Sequence, residues 1–134
     1  MEKRANLTPE QLAKYFDHTL LRADATDAQM RAFCEDCARY GFAMAAINPA
    51  QVPLCVEALA GAGVRVGAAI GFPLGQNSIQ TKLFETRQCL EQGADEIDYV
   101  VNLTRLKAGD DAYVADEMGQ IVAACRQAGA TSKV

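Results

Sequence analysis

The chain has 134 residues, 13 lysines and arginines against 17 aspartates and glutamates, and a formal net charge of −4. Half its residues are hydrophobic and 22% are charged, which excludes an intrinsically disordered or collagen-like chain. Mild acidity argues against nucleic acid or an anionic membrane surface as the main partner, because both demand a basic face. The length suits one domain, 1–134, with no internal boundary. No apolar run approaches the roughly 20 residues of a membrane span. Met1–Gln11 lacks the apolar core of a signal peptide, so a cytoplasmic protein is expected. The five cysteines are odd in number and do not read as a disulfide framework. Cys34 and Cys37 form a C-x-x-C, but it falls inside a helical pattern, and with a single histidine in the chain these are read as small buried apolar residues.

In chain order, the first candidate strand is Phe16–Leu21. A helix over about 27–39 follows, with Met30, Phe33, Cys34 and Cys37 on one stripe. Phe42–Ile47 is the second strand. Asn48-Pro49 then opens a helix carrying Val52, Cys55, Val56 and Leu59, with Asn as cap and Pro in the first turn. Val64–Gly71 is the third strand. A helix starting near Asn77-Ser78 carries Ile79, Leu83, Thr86 and Leu90 inward. Glu96–Asn102 is the fourth strand, and Asp110-Asp111 opens a helix whose stripe is Val114, Met118, Ile121 and Cys125. Gly41, Gly63, Gly93 and Gly129 stand where these helices should stop.

Helices alternating with short apolar strands mean βαβ units and a parallel sheet. Two architectures remain: a doubly wound open sheet, or a (β/α) TIM-type barrel of which this chain would be about the first four units. After Gly129 the pattern calls for a fifth strand, and Ala130–Val134 begins one.

Several residues could carry chemistry. In the fourth strand, alternation puts Glu96, Asp98, Val100 and Asn102 on one face. Asp98 is a mid-strand carboxylate, costly to bury unless paired. It reads either as a proton shuttle inside a barrel or as a structural carboxylate held by backbone donors. Asp17 and Thr19 share a face, which suits a polar pocket or, alternatively, a turn capped by Asp17. His18 has no nucleophile partner suggested by spacing and reads as structural. Gly71-Phe-Pro-Leu-Gly75 fits a tight turn at the rim, with phosphate cradling as the weaker alternative. Of the lysines, Lys82 is expected on a solvated helix face and Lys107 in a loop. Only Lys133, at the start of the presumed fifth strand, can point into a barrel.

Asp17-His-Thr-Leu-Leu21, Ile47-Asn-Pro49, Ile70-Gly-Phe-Pro-Leu-Gly75 and Gly93-Ala-Asp-Glu-Ile-Asp-Tyr-Val-Val-Asn102 occur in that order. Together they resemble the N-terminal part of the deoxyribose-phosphate aldolase family, class I Schiff-base enzymes on a (β/α) barrel. The resemblance runs from about residue 7 to 134. It implies reversible cleavage of 2-deoxyribose 5-phosphate to acetaldehyde and glyceraldehyde 3-phosphate, with no metal and no cofactor. It also implies that Asp98 matches the aspartate of the proton relay, and that Asp17, Thr19 and Lys133 match residues of the substrate pocket. The chain departs from the family at Ala46, where a cysteine is common. The family's Schiff-base lysine lies on a later strand, so it is expected to be absent here and the 134 residues are expected to be inactive alone. A homo-oligomer, or pairing with the missing half, would cover the edges of a half barrel. The readings set against this one are a flavodoxin-like open-sheet binding module and a non-catalytic half barrel.

Overall fold

The computed structural model describes residues 7–134. Its elements run α1 (Pro9–Ala13), β1 (Asp17–Leu20), α2 (Asp27–Tyr40), β2 (Met44–Ile47), a single 3₁₀ turn (Pro49–Gln51), α3 (Val52–Ala58), β3 (Arg65–Ile70), α4 (Ile79–Glu91), β4 (Glu96–Tyr99), α5 (Leu103–Lys107), α6 (Asp111–Gln127) and β5 (Thr131–Lys133). Caps explain most of the helix starts. The Thr26 hydroxyl accepts from the Gln29 amide, and the Gln29 side-chain oxygen accepts from the Thr26 amide, closing a capping box. Ser78 and Asp110 accept from the amides of Thr81 and Tyr113. Gly41 ends α2 in the left-handed conformation at φ 63°, which only glycine adopts without a Cβ penalty.

Two short helices depart from the sequence reading. The first, α1, opens on a Thr8–Gln11 capping box with Pro9 at its first position. The second, α5, follows a strand that ends at Tyr99 rather than Asn102. The shortening has a cause: beyond Tyr99 the backbone bonds side chains instead of a neighbouring strand. The Val100 carbonyl accepts from Lys82, the Asn102 amide donates to Glu117, and the Asn102 side chain caps α5. Likewise Asn48 precedes a 3₁₀ turn without a side-chain cap bond, and the α-helix proper begins at Val52.

All five strands are parallel, in the order β1-β2-β3-β4-β5. A doubly wound sheet reverses direction at a switch point, so its strand order is not the chain order. This sheet has no switch point, which removes the flavodoxin-like alternative. Its two faces also differ. Ala45, Ile47, Val66, Ala68, Ile70 and Ile97 pack against α2, α3, α4 and α6 in one core that also buries all five cysteines as free thiols. On that side His18 lies stacked between Phe33 and Phe42, with ring centroids 4.9 and 4.7 Å apart, which is the structural role read for it. The other face carries the alternate residues, Asp17, Thr19, Met44, Ala46, Glu96, Asp98 and Lys133.

Curvature is the decisive property. In a flat sheet, the first and fifth of five strands lie about 19 Å apart at ~4.8 Å per strand. Here the Lys133 ammonium on β5 is 2.7 Å from Oδ2 of Asp17 on β1. An aspartate and a lysine side chain together do not span such a gap, so the sheet curls toward its polar face. That is the wall of a (β/α) barrel, with helices outside and polar groups within. Gly67 takes part in this: a Cβ there would sit 2.2 Å from the Met44 sulfur, so glycine lets Met44 turn inward.

Candidate active site

The polar face converges on one ammonium group. Lys133 Nζ donates to Asp17 Oδ2 at 2.7 Å and stands 3.2 Å from both Glu96 Oε2 and Asp98 Oδ1. The Met44 sulfur lies 3.8 Å from it. Glu96 is almost wholly enclosed, and its second oxygen pairs with Arg65. Asp98 Oδ1 lies within ion-pair range of Lys133 but makes no directed hydrogen bond. Its carboxylate thus keeps acceptor capacity and faces a cavity. That cavity, about 370 Å³, is open toward the carboxyl ends of the strands and lined by Asp17, Thr19, Ala46, Phe72, Asp98 and Lys133 among others. Barrel enzymes place their chemistry at this end.

Electrostatics divides the cluster. Burial pushes the Asp98 carboxyl above its ordinary range; Lys133 opposes this, and the charges of Asp17 and Glu96 add to it. Lys133 goes the other way from a reactive amine. Partial burial disfavours its charge, but Asp17, Asp98 and Glu96 outweigh that and hold the ammonium above the usual lysine range. It is a fixed cation across physiological pH, whereas a nucleophilic lysine needs a lowered pKa.

The four residues singled out from sequence are brought together. Asp17, Thr19, Asp98 and Lys133 all line the cavity. The Thr19 hydroxyl, however, donates to the backbone carbonyl of Asp17 at 3.0 Å. Lys133 is the last residue of β5. Alternation puts Glu96 on Asp98's face, and as residue i−2 of a strand carboxylate it is an immediate neighbour, but the sequence pattern assigns it no role. The Gly71–Gly75 segment is a tight turn. The Gly71 amide donates to Glu85 Oε2 at 2.9 Å and the Gly75 amide to the Gly71 carbonyl at 2.8 Å, so neither is free to hold a phosphate. Two lysine readings are corrected. Lys107 ends helix α5 rather than lying in a loop. Lys82 is fully buried, not solvated: positions 79, 82, 83 and 86 form one inward stripe, and Lys82 finds Glu117 on α6. Among the described residues, no group of three or more His, Cys, Asp and Glu is arranged to hold a metal ion, and no helix is long and apolar enough to cross a membrane.

Comparison with known proteins agrees with this geometry. The sequence model of the DeoC/LacD family aldolases matches residues 11–132. This chain belongs to that family. It is 49% identical over 130 residues to the deoxyribose-phosphate aldolase of Bacteroides thetaiotaomicron, covering 97% of this chain and 55% of the relative. It is 48% identical over 120 residues to that of Lactobacillus acidophilus, covering 90% and 51%. The solved tetrameric structure of deoxyribose phosphate aldolase from Aeropyrum pernix superposes with a TM-score of 0.85 at 34% identity, over 93% of this chain and 52% of that one. The chain therefore spans about half the length of the curated relatives it matches. Ala46 lies in the cavity wall.

Proposed function

We propose that these residues form the acid–base wall of a deoxyribose-phosphate aldolase, with the imine-forming lysine outside the 134 residues. The observation that carries this reading is the convergence of Asp17, Glu96 and Asp98 on the Lys133 ammonium at the mouth of a curved parallel sheet. Retro-aldol cleavage of 2-deoxyribose 5-phosphate breaks C2–C3. The C3 hydroxyl must lose a proton as the electron pair flows into an iminium at C1. The resulting enamine must then take a proton at C2 before acetaldehyde leaves, and glyceraldehyde 3-phosphate is the other product. A carboxyl held above its ordinary range serves as base in the first step and acid in the second. Asp98 has that property and faces the cavity.

The lysines support the division of labour. Lys133 is held charged, and all three N–H groups of Lys82 are engaged inside the protein. Lys14 and Lys107 stand exposed, away from the cavity lining. Among the described residues no amine has the desolvated surroundings that activate a Schiff-base lysine.

The test has two arms. The 134-residue chain alone is expected to show no turnover of 2-deoxyribose 5-phosphate and no borohydride-trapped adduct on any lysine. An adduct located by mass spectrometry would overturn the division. Supplied with the C-terminal half of a deoxyribose-phosphate aldolase, the chain is expected to turn over, and Asp98→Asn to lower kcat by about 10²–10⁴-fold. A complemented enzyme indifferent to that substitution would remove Asp98 from the mechanism. Assembly into a homo-oligomer belongs to the same reading, supported by the tetrameric Aeropyrum pernix relative and the exposed Leu12, Phe16 and Tyr40. A stable monomer in size-exclusion chromatography at micromolar concentration would count against it.

A further inference from the structure

Away from the cavity, a lysine and a glutamate lie entirely out of solvent. Lys82 on α4 and Glu117 on α6 are both 0% exposed and 2.6 Å apart. Lys82 Nζ has three protons and places all three: on Glu117 Oε1, on the Gly75 carbonyl at 2.9 Å and on the Val100 carbonyl at 2.7 Å. Glu117 Oε2 accepts from the Asn102 amide at 2.8 Å. One ion pair thus binds two segments that follow neighbouring strands, the Gly71–Gly75 turn after β3 and the Val100–Asn102 segment after β4. These are the segments whose Phe72 and Val100 line the cavity above Asp98.

A second, independent observation shows how closely these parts fit. A Cβ on Gly75 would lie 2.2 Å from the Val101 carbonyl oxygen, so the turn rests directly on the backbone following β4. A Cβ on Gly71 would lie 2.9 Å from Cε of Lys82, so the turn also wraps the lysine stem. Both glycines have positive φ, 60° and 67°. Stability alone does not account for such a pair, because a buried ion pair is often replaced by apolar residues at no cost to folding. Apolar residues have no donor for the Gly75 and Val100 carbonyls and no acceptor for the Asn102 amide.

We infer that Lys82 and Glu117 are positioning residues: the buried pair fixes the distance between the two rim segments and so sets the mouth of the cavity. The inference rests on the aldolase reading only in taking the cavity to be where substrate enters. With the clamp removed, the strands and Asp98 stay in place while the rim loosens, so substrate affinity suffers more than the chemical step.

The experiment compares the full chain with its Lys82→Met/Glu117→Leu double variant. Amide hydrogen exchange is expected to accelerate at least about tenfold at Gly75 and Asn102 while staying unchanged in the strands, for example at Ala45 and Ile97. In the complemented enzyme, KM for 2-deoxyribose 5-phosphate is expected to rise about tenfold with kcat altered less than about threefold. Should the double variant not fold, Glu117→Gln serves instead. It keeps an acceptor for Lys82 but can turn a donor toward the Asn102 amide, so exchange should accelerate at Asn102 and not at Gly75. Unchanged exchange at Asn102, or acceleration spread evenly over the strands, overturns the clamp. A complemented wild type without activity would instead fail the aldolase reading, and the exchange data would still decide the clamp.

Discussion

Lys82 and Lys133 both meet carboxylates, in opposite ways. The Lys82 site is closed and matched, one cation to one anion, with every proton of the ammonium and both oxygens of Glu117 engaged. The Lys133 site is half open and unmatched, one ammonium among three carboxylates, with Arg65 adding a second positive charge at Glu96 among the described residues. Burial demands full pairing in the first case, since an uncompensated charge inside the protein is very costly. At the cavity wall water relieves that demand. Surplus negative charge can persist there, with one carboxyl left shifted and available. A satisfied network holds parts in place, whereas an unsatisfied one retains capacity to exchange protons.

The sharpest way to break the comparison is to remove one member of the matched pair. Lys82→Met leaves Glu117 charged, buried and alone, and a destabilisation of about 3–5 kcal/mol is expected. Urea unfolding measures it directly. A loss below about 1 kcal/mol would mean that water reaches Glu117, and the contrast between the two sites would collapse.

Next in size is Gly75→Ala. The added Cβ meets the Val101 carbonyl oxygen at 2.2 Å, and the residue is forced to keep φ +67°. The left-handed conformation alone costs about 1–2 kcal/mol for a residue with a Cβ, and the collision adds to it. A total above about 2 kcal/mol is expected by thermal or urea unfolding. Gly109→Ala is the control. That glycine has a similar φ of 70° but nothing within 4 Å of its Cβ, so only the conformational cost applies. Equal losses at the two positions would show that the turn after β3 is not seated on the segment after β4.

Much of this molecule was legible because its signals are local. Apolar periodicity locates α2, α3, α4 and α6, and glycine in the left-handed conformation ends α2 close to where the pattern stops. Alternation pairs Asp98 with Glu96 on one face of their strand and Asp17 with Thr19 on one face of theirs, and parallel pairing brings these to the same side of the sheet. The buried pair was not legible in the same way. Lys82 borders the apolar stripe of Ile79, Leu83 and Thr86, but its residue type argues for the solvated face, and only a partner on α6 turns it inward. Thirty-five residues separate the two, and local pattern carries no information about that meeting. The early end of β4 has the same origin, since the bonds that take over from the ladder come from Lys82 and Glu117. The Asp17–Lys133 contact is 116 residues apart in sequence, and it follows from curvature, which belongs to the sheet as a whole.

The smallest expected effect probes the unmatched site through pH. Asp98 has a carboxyl raised by burial, with Asp17 and Glu96 adding to the shift against Lys133. An acid whose pKa is higher folded than unfolded holds its proton more tightly in the native state. Its contribution is therefore most favourable below the ordinary aspartate value of about 3.9 and is lost as pH rises through the folded value. Above that value the ionised group is a net burden on folding. Asp98→Asn keeps the shape and discards the charge, so at pH 7 the variant should melt at the wild-type temperature or a few degrees above it. The advantage should shrink and vanish as pH falls below about 4, where the wild-type carboxyl is itself neutral. A variant clearly less stable at pH 7 would mean that Lys133 depends on Asp98 as Lys82 depends on Glu117. The site would then be a structural ion cluster, and its surplus carboxylate would no longer argue for proton transfer.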